Sequence, residues 1–205
     1  MKGSVLVVAI VAGAVMAAEG NTNDVNVFAS QTAGFRVSKP AAWTFASMQQ
    51  VSQYRASARL KDKELEEAVR QRANAPLVAI MKHVEPYDDL NPSVQVILRP
   101  LGTLAGKSAV ELMKLAILPL QQAMADFQFV EPIQKTTVGG KPAAFMKAKY
   151  TVANPEGREF KTFSRMWIVP RGQFMFMMSM SGPQEGGDVS EKEFAEIHKS
   201  IQIAD

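Results

Sequence analysis

The softest donor atoms in this sequence crowd into one short stretch. Met175, Met177, Met178 and Met180 follow one another closely, and Met146 and Met166 lie where neighbouring strands would bring them alongside. Thioethers suit Cu(I), so the first chemistry to weigh is a methionine-based copper or small-ligand carrier. Methionine also fills irregular cores. Phe174 and Phe176 interleave with the group, and strand alternation sends neighbouring side chains to opposite faces, which splits it in two. There is no cysteine. That excludes thiolate metal sites, disulfides and a cysteine nucleophile.

Other reactive residue types are sparse. His83 sits on a strand candidate shortly before Glu85, and His198 lies beside the apolar stripe of a C-terminal helix. A zinc site needs about three or four protein ligands, which no histidine or carboxylate spacing here supplies. A Ser/His pair can be drawn, but no nucleophile-elbow motif accompanies it. Asp88, Asp89 and Asn91 lack the spacing, glycine and distal glutamate of a calcium loop. Gly139-Gly140-Lys141 lacks the spacing and the following Ser/Thr of a phosphate loop, and reads as a turn. No catalytic, cofactor-binding or metal residue is assigned.

Charge is distributed unevenly. Between residues 132 and 171 the basic residues Lys135, Lys141, Lys147, Lys149, Arg158, Lys161, Arg165 and Arg171 outnumber the acids Glu156 and Glu159, whereas residues 185–205 are mainly acidic. Alternation places Lys147 with Lys149, and Lys161 with Arg165, on common faces, with Phe163 and Trp167 interleaved. Such a face could contact an acidic envelope protein or an anionic surface. The simpler reading, and the favoured one for the pattern alone, is a solvated face whose lysine stems cover apolar surface. The formal net charge of +3 is too mild to imply nucleic acid.

Several elements must position these residues. Residues 1–17 carry Lys2, an apolar run at 5–15 and Val15-Met16-Ala17, the layout of a secretory signal peptide cleaved after Ala17. The run is shorter than the roughly 20 residues that span a bilayer. The chain is thus expected to be exported to the periplasm or beyond, where nucleic acid is not an expected partner. Residues 18–33 read as a flexible segment with one edge strand at 25–29, and 34–205 as a single domain. A helix capped by Asp62 is expected to run through Arg72, with strands at 77–84 and 94–98. Ser108-x-x-Glu111 is a capping box opening a helix whose apolar stripe runs on to Phe127, kinked or broken at Pro119. Ser190-x-x-Glu193 reads as a second capping box, ahead of Phe194, Ile197 and Ile201. Residues 160–183 form a hairpin. Its second strand is apolar on both alternating sets, so it belongs at the centre of a sheet covered on both faces.

Gly34-Phe35-x-Val37-x-x-Pro40-x-x-Trp43 resembles the opening strand of PsbP-like proteins, a group named for an extrinsic subunit of photosystem II. The group shares its fold with Mog-type Ran-binding proteins and DcrB-like bacterial envelope proteins. A strand pair before a capped helix, the Thr137-Val138-Gly139-Gly140-Lys141-Pro142-Ala143 turn and a meander ending in a helix are similar too. The resemblance covers residues 34–203. It implies an α+β domain, an antiparallel sheet sandwiched between helices, and a binding or assembly role. It transfers no metal-binding or photosystem-docking residue. The sequence therefore reads as an exported, non-catalytic envelope factor acting through Lys147, Lys149, Lys161, Phe163, Arg165 and Trp167. The alternatives are a hydrolase with an acid/base site assembled by the fold, or the methionine-based carrier.

Overall fold

The structure, a computed structural model, describes residues 24–47, 76–154, 156–184 and 187–205, with the side chains of 187–189 outside that description. The expected signal peptide and the helix around Asp62 lie outside the described residues. In chain order the described elements are β1 (Val27–Ser30), β2 (Phe35–Ser38), β3 (Thr44–Phe45), β4 (Val78–Met81), β5 (Ser93–Pro100), a 3-10 turn (Gly102–Leu104), α1 (Ala109–Ala123), β6 (Ala125–Val138), β7 (Lys141–Ala153), β8 (Glu159–Arg171), β9 (Phe174–Pro183), α2 (Gly187–Lys199) and β10 (Gln202–Ile203).

Every described strand pairing is antiparallel. Seven strands form one sheet in the order β3-β4-β5-β9-β8-β7-β6, and three form a second in the order β1-β2-β10. β9 is the middle strand of the seven, as its two-sided apolar pattern requires. Phe176, Met178 and Met180 enter one core with Trp43, Phe163, Trp167, Phe194 and Ile197, while Met175 and Met177 enter the other with Leu112, Met113, Met146 and Ile168. Burying each such side chain contributes about 1.5–3 kcal/mol. α1 lies on the second core. α2 shares the first core with the small sheet, whose Phe35, Val37 and Ile203 point into it. The fold is therefore dominated by antiparallel strands, and one face of the large sheet is covered by a helix together with a sheet layer.

Three local expectations change. α1 has the Ser108–Glu111 capping box but ends at Ala123, running unbroken through Pro119. Phe127 belongs to β6, where it stacks 6.2 Å from Tyr150. Nor does Ser190 cap α2. The helix begins at Gly187, Ser190 is buried within it, and Glu193 bonds distant side chains instead.

The Gly34–Trp43 motif is structural. Gly34 has φ +60°, and a Cβ there would stand 2.9 Å from the Arg171 guanidinium. Its bareness admits Arg171, which donates to the Ala33 carbonyl at 2.7 Å and to the Asp205 carbonyl at 2.8 Å. Trp43 is 1% exposed and meets Phe194 edge-on at 5.6 Å.

Candidate partner-binding face

The β7–β8 register brings all six expected residues to one face of the sheet. Lys147 lies opposite Arg165, Lys149 opposite Phe163, Thr151 opposite Lys161 and Phe145 opposite Trp167. This is the face that α2 covers in part.

The aromatic members belong to the core. Phe163 and Trp167 are each 6% exposed. Phe163 meets Phe194 edge-on at 6.1 Å, and Trp167 stacks on His198 at 4.8 Å. Lys147 Nζ and Arg165 Cζ sit 5.3 and 5.0 Å from the Phe163 ring centre, within cation–π range.

Lys147 and Arg165 also share a carboxylate. Glu191 on α2 accepts from Arg165 and, at 3.3 Å, from Lys147. The Arg165 hydrogen bond is the main cause that holds the Glu191 carboxyl below its ordinary pKa; burial opposes it. Arg165 Nη1 is buried without a hydrogen-bond partner, so the guanidinium is only partly satisfied. Lys149 and Lys161, one and two residue pairs further along, are exposed and form no ion pair among the described residues. The strip thus has an inner half closed by Glu191 and an open outer half.

Glu191 is the residue that local reading misses. Its signal was the charge asymmetry itself. The basic hairpins and the acidic C-terminal segment complement each other within the chain, at Arg165–Glu191, Lys147–Glu191 and Lys141–Asp205.

The remaining candidates are placed as follows. Met178 and Met180 lie in one core and Met175 and Met177 in the other, where Met146 faces Met166 across the β7–β8 ladder and α1 adds Met113. His83 stacks on Tyr87 at 4.2 Å. Asn91 is buried, accepts the His83 N–H, and donates to the His83 carbonyl and the Glu85 carboxylate. Its amide is thereby spent on bracing the loop. Among the described residues no three His, Asp or Glu side chains converge as metal ligands. A shallow concavity of about 440 Å³ lies over β2 and β10, beside Arg36 and Gln202.

No family model matches the chain, and no curated protein matches it by sequence. Solved structures do. LpqN, involved in cell envelope biogenesis of Mycobacterium tuberculosis, is similar with a TM-score of 0.51 and 13% identity over 83% of each chain. The cyanobacterial PsbP protein CyanoP of Synechocystis sp. PCC 6803 is similar with a TM-score of 0.50 and 11% identity, over 90% of this chain and 96% of that one. The Ran-binding protein Mog1p of Saccharomyces cerevisiae overlaps 87% of this chain at a TM-score of 0.46. At such identities the likeness to LpqN and CyanoP is one of fold.

Proposed function

We propose that this chain, which has the PsbP/Mog-like fold, is an exported, non-catalytic accessory protein of the cell envelope. In this reading the helices cover both faces of a sandwiched sheet, a rigid support for one binding strip. Lys149 and Lys161 make the contacts, while Lys147, Phe163, Arg165 and Trp167 hold the strip in place. The observation that carries it is the exposure of both lysines directly beyond the pair closed by Glu191. The leader-like residues 1–17 and the envelope role of LpqN support the location. No described helix is long and apolar enough to cross a membrane.

Photo-crosslinking in the intact envelope tests this. A crosslinking residue placed at Lys161 gives a discrete adduct, and one at the exposed Lys199 gives none. The adduct disappears with Lys149→Glu. Equal adducts from both positions, or an adduct indifferent to Lys149→Glu, remove the strip from the proposal. The mature chain should begin at Ala18; N-terminal sequencing that returns Met1 refutes the cleavage.

A further inference from the structure

β9 carries four methionines, and the pleat divides them between the two faces. Met178 and Met180 are buried in the first core, and Met175 is buried in the second. Met177 alone of the four is partly exposed, although it packs against the second core. Its neighbours across the two ladders are Ile97 on β5 and Ile168 on β8. α1 packs chiefly across β6, β7 and β8, and β9 is the next strand of the sheet. Met177 therefore sits where the cover provided by α1 ends, within reach of a small solute yet set among apolar side chains. Of the other described methionines only Met124, the residue after α1, is partly exposed.

The chain has no cysteine, so no thiol competes for an oxidant and the thioethers are its only oxidisable sulfur. With hydrogen peroxide the thioether lone pair attacks one oxygen. The S–O bond forms as the O–O bond breaks, and the proton of the transferred oxygen leaves with the departing hydroxide as water. Sulfur gives up two electrons, and the peroxide takes them. The product is a polar sulfoxide in place of an apolar side chain. At Met177 its oxygen is a new acceptor, and neither Ile97 nor Ile168 across the ladders has a side-chain donor. An acceptor held inside without a partner is costly. The oxidised side chain must turn outward, which withdraws packing from Ile168, itself fully buried in the same core.

We propose that Met177 is an oxidant-responsive modification site, converted by peroxide to a sulfoxide that loosens the second core beneath α1. Met178 and Met180 are reached only through local opening and stay reduced in the folded protein. Met124 reacts as well, but it lies outside that core, so its sulfoxide leaves the packing intact. The inference is independent of the lysine strip, which lies on the opposite face of the sheet.

Hydrogen peroxide added to the folded chain, followed by proteolysis and fragment mass spectrometry, tests it. One added oxygen is expected at Met177 and at Met124 before any at Met175, Met178 or Met180. The oxidised protein should unfold about 2–10 °C lower than the untreated one. Met177→Leu conserves volume and should abolish that drop under the same treatment, while Met124→Leu should leave it in place. Oxidation of Met175, Met178 or Met180 ahead of Met177 overturns the inference. So does a Met177 sulfoxide that leaves the unfolding midpoint unchanged, or a drop that Met177→Leu fails to prevent. The order of oxidation is read on the unaltered chain, so it decides the matter whether or not the variants fold.

Discussion

Glu193 on α2 accepts the indole N–H of Trp43 at 2.8 Å across a separation of 150 residues. The other carboxylate oxygen receives Lys82 Nζ, and Lys82 lies 6.0 Å from the centre of the Trp43 ring. One glutamate thus ties the last helix to the opening motif and to the segment just past β4.

That tie can be measured. Trp43→Phe keeps an aromatic ring but strands the Glu193 acceptor, and should cost about 1–3 kcal/mol. Trp43→Ala also opens a cavity and should cost about 3–5 kcal/mol. Urea unfolding checks both. A Phe variant as stable as the wild type would show that the hydrogen bond is dispensable.

The two-glycine turn between β6 and β7 makes a sharper comparison. Gly139 has φ +55°, and a Cβ there would lie 3.0 Å from the backbone nitrogen of Ile203. Gly157 has φ +81° with nothing near it. Gly157→Ala should cost about 1–2 kcal/mol from left-handed strain alone. Gly139→Ala should cost clearly more, because β10 must also shift. Equal losses would mean that β10 yields freely.

The methionines offer a test of packing against ligation. Met180 is fully buried beside Met178 in the first core. Met180→Leu conserves volume and should cost less than about 1.5 kcal/mol, whereas Met180→Ala should cost about 2–5 kcal/mol. Thermal unfolding separates them. Copper ligation requires the opposite grouping, with both variants losing Cu(I) uptake alike.

Acid should weaken the α2 contact through His198. Burial against Trp167 lowers the His198 pKa from 6.5, and Nε2 is buried without a hydrogen-bond partner. The folded ring therefore stays neutral while the unfolded one takes up a proton. The stability tied to this ring is intact above the unfolded value of about 6.5, and is lost as pH falls below it until the folded ring also protonates. His198→Phe keeps the stacking and should flatten this part of the profile. Denaturation midpoints at about pH 7.5 and about pH 5.5 decide the matter, since they bracket the unperturbed value. An equal drop in both proteins would clear His198 of the role.

On the acid side, Glu191 has its pKa held down by Arg165 and Lys147. Its contribution is present above the ordinary carboxylate range and is lost as pH falls through the lowered folded value. The carboxylate is 39% exposed, so Glu191→Gln should cost only about 1 kcal/mol near neutral pH. It should also reduce the acid sensitivity of unfolding. A variant with an unchanged acid profile would contradict the pairing.

What the sequence disclosed followed from period and local chemistry. The apolar sets of Phe174–Pro183 placed β9 centrally, because a two-period pattern reports directly on both faces. Ser108 and Glu111 marked a helix start because both partners lie within one turn. Ser190 and Glu193 have the same spacing, yet the outcome is different. Glu193 is engaged by Trp43 and Lys82, partners brought to it only by the tertiary fold. The slipped register of β6 on β7, where Phe129 lies opposite Ala148 and Glu131 opposite Lys147, left no local trace, since slippage belongs to the pairing of two strands. The basic strip was legible as a face. Its division by Glu191 was not, because complementary charge on a distant segment reads the same as complementary charge on another molecule.

The pairing of β10 with β2 has a consequence in time. Gln202 and Ile203 join Arg36 and Phe35, and Ile201 and Ile203 sit in the same core as Phe35 and Val37. A growing chain meets the early half of that layer long before the late half exists. The layer cannot close until residue 203 has left the ribosome, and contacts of such long sequence separation form slowly. The first core thus stays open until residues 201–203 have joined it, and β10 acts as the latch that completes it.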